Sequence, residues 1–330
     1  MAATEGGWET PDIRRLPILP ILPIPRILTI RRKNAISLIL SPFCFRLRPM
    51  AKQLIINADD FGFCRGINRA VAQAHNRGIL TSATLMAGAG AAEEAVEIAR
   101  QTPTLGVGVH LNLLDGRPVS RPDGIGTLLN ARGEFALSVS KLALTSLLSK
   151  RLRNAVETEL AAQIEWVLAR RIKPTHLDSH KHIHAFATIW PIVCRLARRF
   201  DIPAVRWPWE PPWTANAPPA TDKSDRKRAR TVRNMAKVCR CIDATFIKNQ
   251  CLFGLVHTGR IDGEFWSVLV GKMPPGPAEV MTHPGYAEGL DATKTRLIAQ
   301  RLVELEAMCS DRTKKLIKDA GIELTHYGKL

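Results

Sequence analysis

Three things are scarce in this 330-residue chain. Aromatic residues make up 6% of it, with two tyrosines; 30 carboxylates face 47 lysines and arginines; and its most apolar run is interrupted. Each shortage removes a class of function. The apolar run LPILPILPIPRILTI, residues 16–30, carries four prolines and Arg26, so it cannot continue as a membrane-spanning helix. It is also no signal peptide: Arg31, Arg32 and Lys33 follow it, and no small-residue cleavage site is evident. Residues 1–49 therefore read as a disordered Pro/Arg-rich leader ahead of a natural start at Met50. The seven cysteines are odd in number and scattered, and Cys239 and Cys241 stand two apart, which suits neither a zinc nor a redox pair. A secreted disulfide framework is excluded, and the expectation is reduced thiols in a cytoplasmic protein.

The shortage of carboxylates leaves a formal charge of +17. Eight basic and three acidic residues among the first fifty account for +5, so the rest of the chain still carries +12. Such a surplus attracts polyanions, nucleic acid and anionic lipid alike. Its densest part, KSDRKRARTVRNMAKVCRC at residues 223–241, has no interleaved aromatics on which bases could stack, so no nucleic-acid partner is expected. It reads first as a solvated helix or loop, then as a membrane-surface or anionic-substrate patch.

The composition is 45% hydrophobic and 23% charged, and residues 50–330, beyond the leader, are long enough for one large globular domain. Short apolar strands alternate with amphipathic helices. The pattern predicts strands at 54–58, 81–86, 105–111, 175–178, 204–206 and 278–282, and helices at 66–77, 91–101, 155–171, 188–200 and 291–309. Alternation of this kind means an α/β fold with a parallel sheet, either a barrel or a doubly wound layer. In both, functional side chains gather at the carboxyl ends of strands.

Polar residues fall at those ends. Asp59 and Asp60 follow the first strand in INADDFG, and His110 ends the third in GVGVHLNL. THLDSHKHIH, residues 175–184, holds four of the nine histidines and closes the fourth strand, and His283 follows the late strand in EVMTHPG. Taken singly, paired aspartates cap helices, and a lone histidine is more often a hydrogen-bonded core residue. Four strand ends presenting such groups together point instead to metal-assisted hydrolysis. One aspartate and two histidines from separate strands suit a divalent ion with open positions. A second carboxylate can take a proton from water, and a histidine opposite can protonate a leaving group; Asp59, Asp60 and His283 fit these roles by type.

NADDFG with GINRAVAQAHNRGILTSAT, then LGVGVHLNL, THLDSHKHIH and EVMTHPG, in this order and spacing, resembles the YdjC/ChbG family of carbohydrate deacetylases from about Lys52 to Tyr327. RWPWEPPW, the basic segment and the terminal region resemble its hopanoid-biosynthesis-associated branch, HpnK. The resemblance implies a (β/α) barrel related to that of the polysaccharide deacetylases, which can be irregular and have fewer than eight strands. It implies a hydrolase that removes an N-acetyl group from an amino sugar with one divalent ion, magnesium or zinc. Carried over by position, Asp60, His110 and His180 would hold the metal, Asp59 would be the general base and His283 the acid or oxyanion partner. His176, Asp178, His182 and His184 would orient ligands or touch substrate, and residues 208–251 would form an insertion or lid. The HpnK-like features imply an N-acetylglucosaminyl hopanoid as substrate, with peripheral contact at the inner face of the membrane. Trp207, Trp209 and Trp213 would serve that contact, and a homodimer is among the assemblies the family allows. Two other readings use the same residues: a metal-dependent phosphoesterase, and a non-catalytic sugar- or lipid-binding module.

Overall fold

The computed structural model describes residues 51–292 and 295–330. The leader, residues 1–49, lies outside the described residues. The chain runs β1 (Lys52–Phe61), α1 (Arg65–Arg77), β2 (Ser82–Leu85), α2 (Ala92–Gln101), β3 (Gly106–Leu111), α3 (Val139–Leu148), α4 (Lys150–Ala169) and β4 (Leu177–Ser179). It continues through α5 (Trp190–Arg199), α6 (Lys223–Ile242), β5 (Cys251–Phe253), α7 (Gly263–Lys272), β6 (Gly276–Thr282), α8 (Ala299–Cys309), α9 (Asp311–Asp319) and β7 (Glu323–Thr325).

Every strand pairing is parallel, in the order β4-β3-β2-β1-β6-β5, with β7 added beside β1. The sheet curls into an open barrel of fewer than eight strands with helices outside it. Central β1 is buried on both faces from Leu54 to Phe61, as expected of a parallel strand covered by helices. In α1, Ile67, Ala70, Val71 and Ala74 recur at helical spacing and are buried against that sheet. Side-chain caps start several of the helices: Ser138 for α3, Ser149 for α4, Asp222 for α6, Asp262 for α7 and Ser310 for α9 each accept a bond from a first-turn N–H.

Two predicted elements come out differently. The strand expected at 204–206 is an isolated bridge, Val205 to Leu177. It hydrogen-bonds β4 through Leu177 N to Ala204 O and Arg206 N to Leu177 O, and a few residues later Trp209 O accepts from Leu252 N of β5. This stretch spans the gap between the first and last strands of the curl. Pro208, Pro211 and Pro212 have no N–H to give a ladder, which keeps it irregular. The last long helix begins at Ala299 rather than Asp291. The segment 208–251, expected as an insertion or lid, contains α6 and ends at the first residue of β5, Cys251. Trp207 is buried with its indole N–H on Ala236 O of α6 and its ring stacked on Trp209, so it packs a loop rather than facing outward.

Candidate active site

The carboxyl ends of β1, β3, β4 and β6 open into a cavity of about 800 Å³, which Asp59, Asp60, His110, Asp115, His180 and His283 line together. Local backbone geometry puts the two neighbouring aspartates on the same side. Between Ala58 and Phe61, β1 advances three residues while β2 advances two, from Ala83 to Leu85. This bulge removes the usual alternation of side chains. Asp60 lies in the left-handed region at φ 65°, which aspartate tolerates better than most residues, and Phe63 N on Asp60 O closes the turn.

His110 and Asp178 are register partners on β3 and β4, so their side chains meet, with Nδ1 to Oδ1 at 2.8 Å. The Asp178 carboxylate holds Nδ1 as the donor and leaves Nε2 facing Asp60 Oδ1 at 3.5 Å. His180 begins a reversal after β4 in which Lys181 and His182 are both left-handed, at φ 52° and 55°. That turn aims His180 Nδ1 at the same Asp60 oxygen, 3.2 Å away, with Nε2 on Asp115 Oδ2 at 2.9 Å. Each imidazole thus presents one nitrogen to Asp60 and anchors the other on a carboxylate. Burial opposes protonation of both rings. At His110 the nearby Asp178, and at His180 the bonds to Asp115 and Asp60, outweigh it, raising both and bringing His180 to about 9. The potential that holds protons on these rings is also one a dication would use.

The ligand atoms of Asp60, His110 and His180 lie within 4.8 Å of one another, as do those of Asp59, His110 and Asp178. The second group is already engaged by a cation. Arg206, fully buried, donates Nη1 and Nη2 to the two oxygens of Asp59 at 2.9 and 2.7 Å, contacts Asp178 Oδ2 at 2.6 Å, and gives Nε to Glu279 at 2.8 Å. Asp60 also meets a cation, Arg301, but only through Oδ2, which leaves Oδ1 toward both rings, so Asp60, His110 and His180 are the set that fits a divalent ion, in donor type and in convergence. Burial alone would raise the Asp59 carboxyl, but Arg206, together with the nearby His110 and His283, more than offsets this and holds it well below the usual carboxylate range. Asp59 is thus ionised at neutral pH.

His283, at the end of β6, lines the cavity, and burial pushes its imidazole down to about 4, so it is neutral. Its backbone N–H is held by Glu304 of α8, whose carboxyl burial raises to about 7. Three residues earlier, one helical turn away, Arg301 donates Nη2 to Asp60 Oδ2 at 2.6 Å. One face of α8 therefore braces two strand ends at once.

The four clustered histidines separate. His180 faces Asp60 and His182 lines the cavity. His176 is buried outside it, stacked on Tyr327 at 4.3 Å between ring centroids and bonded to Thr175. Gly108 permits this, because a Cβ there would come within 2.5 Å of the His176 ring. His184 is fixed between Ser179 Oγ and Arg206 O. Sequence reasoning missed Arg206, Arg301, Glu304 and Asp115. The first stands at the start of RWPW, but nothing local marks an arginine as the centre of a buried carboxylate cluster.

The model of the family described as YdjC-like protein matches residues 53–319. A carbohydrate deacetylase of Brevibacillus brevis is 33% identical over 279 residues, covering 84% of this chain and 99% of its own. A chitooligosaccharide deacetylase of Yersinia enterocolitica is 28% identical over 281 residues, 84% and 99% of the two chains. In fold, the chain is similar to a crystal structure of a protein from Enterococcus faecalis titled a putative cellobiose-phosphate cleavage protein. That match has a TM-score of 0.65 at 24% identity and covers 84% of this chain and 98% of the other.

Proposed function

The chain belongs to the YdjC-like protein family, and on that premise we propose that it is a metal-dependent hydrolase that removes the N-acetyl group from an N-acetylated amino sugar. The observation that carries the reading is the convergence of Asp60, His110 and His180 beside an ionised Asp59 and a neutral His283. A magnesium or zinc ion held by those three residues would polarise the acetamide carbonyl and make a bound water more acidic. Asp59, fixed at both oxygens by Arg206, takes the proton of the attacking water as general base. His283, neutral and anchored through its backbone by Glu304, can offer an N–H to the carbonyl oxygen; to protonate the leaving amine it must first accept a proton, and the one Asp59 takes from the attacking water supplies it. Arg301 and Asp115 fix the orientation of Asp60 and His180.

The relatives named for carbohydrate and chitooligosaccharide deacetylation support an amino-sugar substrate. The finer reading is a glycolipid such as an N-acetylglucosaminyl hopanoid, handled by a cytoplasmic enzyme at the inner membrane face. The cavity supports it, since Val139, Ala143, Phe186, Val232, Met235 and Met281 give it apolar walls beyond the polar end. Among the described residues no helix is long and apolar enough to cross a membrane. One observation favours a phosphoesterase instead: Lys227, Arg228 and Arg296 also line the cavity.

Acetate and phosphate release separate these readings. The protein supplied with magnesium or zinc should release acetate from chitooligosaccharides or an N-acetylglucosaminyl lipid, and His180→Ala should abolish it. Phosphate release from a phosphomonoester without acetate release would replace the deacetylase reading. Neither activity from metal-loaded protein, with sugar binding intact, would favour a non-catalytic module.

A further inference from the structure

We infer that the faces of α3 and α6 beside the cavity dock onto a lipid bilayer carrying anionic headgroups, with the cavity opening toward it. In α3, Ser140 and Ala143 line the cavity, and Leu144 and Leu147 follow each of them by four residues on the same face. Leu144, Leu147 and neighbouring Leu148 are 60%, 60% and 80% exposed, the most exposed large apolar side chains among the described residues. The same continuation occurs in α6. Thr231 and Met235 line the cavity, and Val238 and Ile242 extend that stripe into solvent, 46% and 43% exposed. Both helices pack on the turn that carries His180 and His182, so their stripes flank one opening.

Charge identifies the occupant. Over its twenty residues α6 has eight lysines and arginines and one carboxylate, Asp225, which is buried and engaged by Arg228, Arg260 and Arg296. Exposed Lys223, Lys227, Arg230 and Lys237 recur at three-, four- and seven-residue spacing beside the apolar stripe. Apolar side chains bordered by long cations match an anionic membrane surface, where the leucines enter the acyl boundary and the cations reach the headgroups. A second copy of a chain with formal charge +17 would set like charges against each other on this face.

This deepens the glycolipid reading and rests on it for its purpose, but the docking is measurable without catalysis. The full chain is floated with phosphatidylcholine vesicles with and without phosphatidylglycerol. The variants are Leu144→Ser/Leu147→Ser/Leu148→Ser and, separately, Arg230→Gln/Lys237→Gln. The parent should partition onto the anionic vesicles, and each variant should partition about tenfold less or lower. A parent that stays with the soluble fraction, or variants that float as it does, would overturn the inference. So would a parent dimer that the leucine variant disperses, because the face would then be a self-interface. Acetate release from soluble chitooligosaccharides is read on the same samples. Retained release in a parent that does not float contradicts only the membrane surface. Intact docking with no release from any sugar contradicts the deacetylase reading and leaves the surface standing.

Discussion

The candidate metal residues have two unlike flanks. Behind His110 lies a closed network in which Arg206, Asp178, Glu279 and Tyr327 are fully or almost fully buried, with Asp178 and Glu279 supplied by β4 and β6 and Asp178 set opposite His110 by register. Across the site, the side chains of His180 and Asp115 are 17% and 25% exposed and come from turns after β4 and β3. The inner flank sets charge and direction where breaking an ion pair is costly. The outer flank faces the cavity, where solvent weakens each pair. Changes on the inner side should therefore register as stability, and those on the outer side as affinity for the ion.

The largest expected effect comes from removing the centre of the inner network. Arg206→Met leaves the carboxylates of Asp59, Asp178 and Glu279 buried without their cation and should destabilise the protein by about 3–5 kcal/mol in denaturant unfolding. Unfolding at the parent midpoint would break the contrast between the flanks. Asp59→Asn touches the same network but leaves Arg206 paired with Asp178 and Glu279. Acetate release should fall by about 10²- to 10⁴-fold while the fold persists, as circular dichroism and kinetics on one sample would show. On the outer flank, Asp115→Asn loosens His180 and should weaken divalent-ion affinity by about 10- to 100-fold, read by competition with a chelating dye. The smallest effects make the sharpest pair. Tyr327→Phe removes a buried bond to Glu279 and should cost about 1–2 kcal/mol, whereas Lys181→Gln, opposite Asp115, should stay within about 0.5 kcal/mol.

The strand ends are the most legible part of the site in the sequence. Apolar runs ending in Asp59, His110, Asp178 and His283 mark strands and their carboxyl ends, because a central parallel strand must be apolar until it reaches the site. The bulge that turns Asp59 and Asp60 to one side has no periodic signature. Nor do the long reaches of Arg206 and Arg301, which look like other arginines in a strongly basic chain. The pattern does not predict α3, since its apolar residues point outward as well as inward, and α6 reads equally well as a loop because basic residues surround it. The strand predicted at 204–206 fails in hydrogen bonding rather than location: the chain runs there, but prolines deny it a ladder.

The central claim is that Asp60, His110 and His180 hold one divalent ion on which acetate release depends. Its most direct test titrates chelator-treated protein with zinc or magnesium, with bound metal read by equilibrium dialysis and acetate release from a chitooligosaccharide read in the same samples, beside Asp60→Asn. The account predicts that activity rises with occupancy and saturates at about one equivalent, and that the variant loses tight binding and release together. Full release from metal-free protein, or tight stoichiometric binding that survives in Asp60→Asn, would contradict it.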